Sequence, residues 1–280
     1  MSDTVRAALS AATRRLAAAG VASPARDARD LLAWALDTEP MQITLRAGEP
    51  LPAAAAARFE TALSARAARQ PVAQITGARQ FWGRAFRVTP DVLDPRPETE
   101  IIIARALEGP APARLVDLGT GTGILGLTLL AEWPQACGVL TDTSAAALEL
   151  ARENAGNLAV AGRVTYIQSD WWYGVSGEYD LIVSNPPYIP ATDVDALEPD
   201  VRDWEPLSAL TPGGDGLDAY RAIAAGLPAH AAPGARVLLE CGAGQATDVA
   251  AILAAACGPA EQRIYRDFDG KERVVGLRFP

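Results

Sequence analysis

Arg114-Leu115-Val116-Asp117-Leu118-Gly119-Thr120-Gly121-Thr122-Gly123 is the stretch whose reading decides the fold. Leu115 to Leu118 read as a short strand. The glycines at every second position after it let the backbone turn tightly and approach a ligand before a helix begins at about Ile124. A shifted window, Gly121-Thr122-Gly123-Ile124-Leu125-Gly126, matches the G-x-G-x-x-G dinucleotide pattern, which is weak by itself. Downstream the alternation repeats. Strand-like runs at Gly138-Val139-Leu140, Val164-Thr165-Tyr166-Ile167, Leu181-Ile182-Val183 and Arg236 to Glu240 are separated by helix-like runs, among them one from Ser144 and one near 218–229. Such alternation predicts an α/β fold with a Rossmann-like parallel sheet covered on both faces. Two terminal strand-like runs around Asp269-Gly270 predict an antiparallel hairpin at the sheet edge.

The N-terminal part lacks this alternation. The Leu and Ala spacing of the first twenty residues, with Arg6, Arg14 and Arg15, suits a short amphipathic helix better than an organelle transit peptide. Ser23-Pro24 is an N-cap followed by proline at the first helical position, opening a helix with Leu31, Leu32, Ala35 and Leu36 on an apolar face. A third helix is predicted from about Pro52 to Arg69, with Pro71 ending the set. Residues 1–70 are therefore expected to form a small helical domain. Residues 71–97 read as a linker in which Phe81 to Val88 has the composition of a hairpin. Asp94-Pro95-Arg96-Pro97-Glu98-Thr99-Glu100 then leads, rigid and extended, into a helix with an acidic first turn, and residues 98–280 form the α/β domain.

Composition removes several function classes. A chain of 280 residues with 49% hydrophobic content holds a substantial core. No apolar run approaches the roughly 20 residues of a membrane span. Cys137, Cys241 and Cys257 form no C-x-x-C pair, which argues for reduced thiols and a cytoplasmic protein; Cys137 and Cys241 lie in apolar strands and are expected to be buried. His230 is the only histidine, which argues against histidine catalysis and against a metal site. The net charge of -9 is unfavourable for direct grip on nucleic acid.

The charges beside the glycines choose among ligands. A dinucleotide presents a pyrophosphate to such a loop, and Asp117 at its base would repel it. S-Adenosyl-L-methionine has no phosphate and carries an ammonium and a sulfonium, so an acidic residue suits it. The second strand ends at Thr141-Asp142, where a carboxylate can accept both hydroxyls of a ribose. The third ends at Ser169-Asp170-Trp171, with Asp170 placed for an adenine amino group and Trp171 for the flank of the ring. Each acid alone is an ordinary turn or cap residue. At the carboxyl ends of three successive strands they line the crevice where open α/β sheets bind ligands. The candidate cofactor residues are Asp117, Gly119, Thr120, Gly121, Thr122, Gly123, Asp142, Asp170 and Trp171, joined by Asn185.

The fourth strand runs into Asn185-Pro186-Pro187-Tyr188, two prolines that cannot continue a sheet interior. The Asn185 side-chain oxygen and the Pro186 carbonyl are two acceptors in fixed relation, because proline fixes its own φ and restricts its neighbour. They suit the two N–H bonds of a planar NH2 group, with Tyr188 stacked on its plane. Asn185, Pro186, Pro187 and Tyr188 are thus the candidate catalytic residues for methyl transfer to a planar nitrogen. Standing alone, the tetrapeptide is equally a strand-ending turn.

With these motifs in place the chain resembles the S-adenosylmethionine-dependent protein-(glutamine-N5) methyltransferases that modify peptide chain release factors. The resemblance spans nearly the whole length: residues 93–100, the Asp117 to Gly123 loop, Asn185 to Tyr188, Glu205-Pro206 with Ala209-Leu210, and Gly213 to Asp218. It implies a class I methyltransferase sheet preceded by a helical domain that contacts the substrate. It also implies S-adenosyl-L-methionine as methyl donor, with Asp142 on the ribose and Trp171 beside the adenine. The acceptor would be the glutamine of a Gly-Gly-Gln loop in class 1 release factors, held by Asn185 and Pro186, and the enzyme is expected to be a monomer. Asp94 departs from the family, which usually has an apolar residue there. The rival readings are an N-methyltransferase acting on a ribosomal-protein glutamine or on an exocyclic amino group of a nucleic-acid base, a NAD-dependent dehydrogenase, and a non-catalytic binding module.

Overall fold

The alternation that begins at Arg114 is a seven-stranded sheet in the computed structural model, which describes residues 4–258, 260–267 and 269–280. The chain divides into two units, one of Met1–Ala78 with Glu198–Trp204, the other of Arg79–Leu197 with Glu205–Pro280.

The helical unit contains α1 (Val5–Ala18), α2 (Pro24–Ala35), α3 (Ala53–Ala67) and α4 (Val72–Thr76). Thr4 caps α1 by accepting the Ala7 N–H, and Pro24 occupies the first turn of α2, where its missing N–H costs nothing. Leu16, Leu31, Leu32, Ile43 and Phe59 close its core. Pro71 does not end the helical set as expected: it precedes α4 with an extended backbone. The unit therefore reaches residue 78, beyond the expected boundary at 70. It also takes in Glu198–Trp204, for an electrostatic reason. Buried Arg66 donates to Asp27 at 2.7 Å and to Asp200 at 2.5 Å, Arg69 pairs with Asp200 and Glu198, and Gln74 donates to the Trp204 carbonyl at 2.9 Å.

The second unit opens with a hairpin, β1 (Ala78–Phe81) and β2 (Arg84–Arg87), turning at Trp82 and Gly83, both at positive φ. There follow α5 (Glu100–Leu107), β3 (Arg114–Leu118), α6 (Ile124–Glu132), β4 (Cys137–Asp142), α7 (Ala145–Asn157), β5 (Val164–Gln168) and β6 (Tyr179–Ser184). After α8 (Pro199–Arg202), which belongs to the helical unit, come α9 (Leu207–Leu210), α10 (Asp218–His230), β7 (Ala231–Glu240), α11 (Ala246–Cys257), β8 (Glu261–Arg266) and β9 (Glu272–Arg278). The strand order is β5-β4-β3-β6-β7-β9-β8, parallel except for β9, which pairs antiparallel with both neighbours. Ile102, Leu125 and Leu129 of α5 and α6 fill one face, and Tyr220, Ile223, Leu227 and Leu253 of α10 and α11 fill the other. Each such side chain contributes about 1.5–3 kcal/mol by burial. Cys137 is exposed, contrary to expectation, because it is the first residue of β4; Cys241 is buried as expected. No helix among the described residues is long and apolar enough to cross a membrane.

Candidate active site

The strand order reverses beside β3, since β4 and β5 follow it on one side and β6 and β7 lie on the other. Ligands of open α/β sheets bind outside the strand ends at such a switch point. A cavity of 480 Å³ lies there, within the usual size range of small-molecule sites. It is lined by Asp117, Gly119, Thr120, Gly121, Thr122, Asp142, Asp170, Trp171, Asn185 and Pro187 among others, so most residues singled out in the sequence meet in one place. Gly123, Pro186 and Tyr188 do not line it.

The glycine loop is held by its own acids. Asp117 is buried; its Oδ2 accepts from the Thr120 hydroxyl at 2.6 Å and from the Gly126 N–H at 3.0 Å, which ties both ends of the turn to β3. Asp142 accepts the Gly121 N–H at 2.9 Å on Oδ2 and the Ser144 N–H at 2.9 Å on Oδ1. Ser144 in turn caps α7 by accepting the Ala147 N–H at 3.2 Å. The glycines differ in task. A Cβ on Gly121 would meet nothing within 4 Å, so that residue faces open space, whereas one on Gly123 would meet Leu127 at 2.5 Å and Ala151 at 3.3 Å. Gly123, at φ +82, lets helices pack beneath the loop.

Burial pushes the Asp117 carboxyl up to about 6, against the lowering effect of its bonds to Thr120 and Gly126, and nearby Asp142 pushes it further up. Asp142 is raised too, chiefly by burial. Asp117 Oδ1 is buried without a hydrogen-bond partner. A buried acceptor of this kind on a cavity wall suits a cation and disfavours a phosphate. Each Asp142 oxygen has accepted one backbone N–H, which leaves each a lone pair for a further donor such as a ribose hydroxyl. Trp171, bulky yet at φ +49, lies beside Gly119, and the Ser169 hydroxyl reaches its carbonyl at 2.7 Å. Strained backbone of this sort persists where its surroundings hold it. The residues present therefore fit S-adenosyl-L-methionine.

On the far wall Asn185 follows β6 directly. Its Nδ2 donates to the Thr99 hydroxyl at 3.2 Å, which leaves Oδ1 for an incoming N–H. Tyr188 stands behind this wall: its carbonyl accepts from Gln245 at 2.9 Å, and its phenol is pushed up to about 12 by burial and by Glu240. Thr99, Val92, Leu93 and Pro95, with Pro206, Ser208, Ala209, Thr211 and Pro212, also line the cavity; of these, Leu93, Pro95, Thr99, Pro206 and Ala209 were met in the sequence only as residues of the extended segment or of the family resemblance, with no role at the site, and Val92, Ser208, Thr211 and Pro212 were not singled out. Asp94 is buried between Arg79 at 3.5 Å and Arg96 at 3.9 Å, and Arg96 bonds Glu205 at 2.6 Å. The departure at Asp94 is thus absorbed by two arginines. Among the described residues no group of three or more His, Cys, Asp or Glu is placed to hold a metal ion.

A doubly covered, mainly parallel sheet with a cavity at its switch point is shared by several nucleotide- and cofactor-binding classes, and the family match makes this one a methyltransferase. Residues 97–198 match the Methyltransferase small domain and residues 7–77 the PrmC N-terminal domain. The chain is 58% identical to the release factor glutamine methyltransferase of Cereibacter sphaeroides, over 98% of each chain, and 42% identical to that of Rhodospirillum rubrum, over 94% of this chain and 82% of the relative. It belongs to the release factor glutamine methyltransferase family. Among solved structures, the T. thermophilus 16S rRNA N2 G1207 methyltransferase in complex with AdoMet and guanosine shares the fold, with 16% identity, a TM-score of 0.52, and coverage of 72% of this chain and 50% of that one.

Proposed function

We propose that the chain transfers a methyl group from S-adenosyl-L-methionine to the side-chain amide nitrogen (N5) of the glutamine in the Gly-Gly-Gln motif of class 1 peptide chain release factors. The observation that carries this reading is the placement of Asn185, with its Oδ1 free to accept, on the same cavity as the glycine loop. Relatives 58% and 42% identical over nearly the whole chain carry the name of that activity. When bound, the cofactor supplies an electrophilic sulfonium methyl group and leaves as S-adenosyl-L-homocysteine. Asp117 Oδ1 would face its ammonium, the free lone pairs of Asp142 its ribose, and Asp170 and Trp171 its adenine.

The chain's task is orientation. An amide nitrogen is a poor nucleophile because its lone pair is delocalised. Asn185 Oδ1 on the cavity wall accepts one of its N–H bonds and turns the nitrogen toward the donor; the Pro186 carbonyl, next in the chain but off the cavity wall, would accept the second once the substrate is seated, and Pro187 on the wall helps fix that pair. Orientation of this kind supplies roughly 7–11 kcal/mol in the best intramolecular cases. No general base is needed before attack, since the methylated nitrogen becomes acidic and loses its proton readily. The reaction takes place in the cytoplasm, with the protein as a monomer and no direct contact with nucleic acid.

The test is a comparison of substrates. Labelled methyl from S-adenosyl-L-methionine should appear on the Gly-Gly-Gln glutamine of a folded release factor. Preferential labelling of a ribosomal-protein glutamine, or of a base in nucleic acid, would overturn the proposal.

A further inference from the structure

Glu240, the last residue of β7, is 2% exposed, and its Oε2 has no hydrogen-bond partner. A buried carboxyl without a committed counter-ion is costly, and such groups gather at functional sites. The nearest cation, Arg273 on β9, is engaged elsewhere, donating from Nε to Asp267 at 2.9 Å. The other charged or titratable groups around Glu240 are Glu98 ahead of α5, Tyr188, Cys241 and Tyr220, whose hydroxyl donates to the Glu240 backbone carbonyl at 2.8 Å. None of these neutralises it. Its side chain lies against the active-site wall: the Thr99 hydroxyl and the Asn185 amide are the polar neighbours that act on its carboxyl and favour its charged form.

That contact has a directional consequence. The Asn185 carboxamide can sit in two orientations related by a flip, with either Nδ2 or Oδ1 pointing inward. Oδ1 pointing inward would face a carboxyl oxygen, acceptor against acceptor. Nδ2 pointing inward donates to Thr99, as it does at 3.2 Å, and leaves the Thr99 hydroxyl proton free to turn toward the neighbouring Glu240 carboxyl. Thr99 is itself 1% exposed, so water is not an alternative acceptor for it. We infer that Glu240, acting through Thr99, is the positioning residue that commits Asn185 to one orientation, Nδ2 inward and Oδ1 toward the substrate nitrogen. The chain Asn185 to Thr99 to Glu240 thereby selects a substrate that donates N–H bonds and rejects one that can only accept. Burial pushes the Glu240 carboxyl up to about 7, while Thr99, Arg273 and Asn185 pull it down, as expected of an acceptor held in place without a paired cation.

This inference rests on the proposed methyl transfer, and the experiment separates the two. Wild-type protein is first assayed with S-adenosyl-L-methionine and a folded release factor; failure to label it overturns the proposed function alone. The positioning role is then read from Thr99→Val and Glu240→Leu against the conservative Thr99→Ser and Glu240→Gln, each of which keeps an acceptor in the chain. Thr99→Val and Glu240→Leu are expected to lower kcat by about 10–100-fold, the size of effect seen when a hydrogen-bond partner that orients a functional side chain is lost, with cofactor Kd changed less than about threefold. The Ser and Gln variants are expected to recover to within about fivefold. Independently of activity, the Asn185 side-chain NH2 signals, assigned by their loss in Asn185→Asp, should shift and lose exchange protection in Thr99→Val but not in Thr99→Ser. Wild-type kcat in Thr99→Val, equal impairment of Thr99→Val and Thr99→Ser, or unchanged Asn185 NH2 signals would each overturn the inference.

Discussion

The two walls of the cavity use their polar groups in opposite ways. On the glycine-loop wall, Asp117 and Asp142 turn most of their acceptors on the loop itself, holding the Thr120 hydroxyl and the backbone N–H groups of Gly121, Gly126 and Ser144. On the opposite wall, Asn185 has its donor engaged by Thr99 and its acceptor open. A wall held mostly by its own hydrogen bonds, with Asp117 Oδ1 alone left unpartnered among its buried carboxylate oxygens, has a shape before any ligand arrives. A wall with an open acceptor waits for a donor. Substitutions on the first should therefore act on cofactor affinity or stability, and substitutions on the second on turnover.

The sharpest break of this contrast is Asn185→Ala. Loss of one of two acceptors aimed at the reacting nitrogen should lower kcat by about 10²–10³-fold, as for removal of a single oriented hydrogen-bonding group in other active sites. Cofactor Kd, measured by calorimetry, should stay within about threefold, because no contact of the glycine loop is touched. A parallel loss of cofactor affinity would show that the two walls are not separable.

Next in size is a contrast inside the glycine loop. Gly123→Ala drives a Cβ to 2.5 Å from Leu127 at a residue with φ +82. Overpacking and left-handed strain together should cost about 2–5 kcal/mol of stability, visible in thermal unfolding. Gly121→Ala, at φ +53 with nothing within 4 Å, meets only the backbone strain, about 1–2 kcal/mol, and should weaken cofactor binding by filling the space on the cavity side. If both variants lost stability alike, the division of labour between the glycines would fail.

How much of this was legible in the sequence follows from the range of the interactions. The sheet, its edge hairpin and the glycine loop were readable because each rests on local periodicity or on a turn that only certain residues adopt. The Asn185 wall was half readable. Asn185 to Tyr188 announces two acceptors, yet Thr99 lies 86 positions away and Glu240 ends a different strand, so their meeting depends on strand order. Residues 198–204 were illegible for the same reason. Nothing local says that Asp200 belongs with Arg66, 134 residues earlier, although both are charged and one is buried. Cys137 misled because an apolar neighbourhood was read as burial, and strand ends are exposed even when strand centres are not. The reading of Asp117 as an acid facing a cation was incomplete in another way: one of its oxygens holds the loop, and only the other is left for a ligand.

That second oxygen yields the smallest of the predicted effects and the one that tests the first wall most directly. Burial raises the Asp117 carboxyl to about 6 from the ordinary 3.8, so folding without ligand favours its protonated form. Its stabilising contribution is complete below pH 3.8 and is lost as pH rises through 6. A bound ammonium has the opposite preference, since it attracts the carboxylate. Below about pH 6 the cofactor would have to displace a proton from Asp117, and its affinity should fall with a slope approaching tenfold per pH unit. Between pH 7 and 8 the affinity should be flat with respect to this group. In Asp117→Asn, where the acceptors to Thr120 and Gly126 are kept on one oxygen, the acid limb should vanish and affinity at pH 7.5 should be reduced. An acid limb unchanged in Asp117→Asn would move the recognition of the cation elsewhere on the loop wall and leave Asp117 with the loop alone.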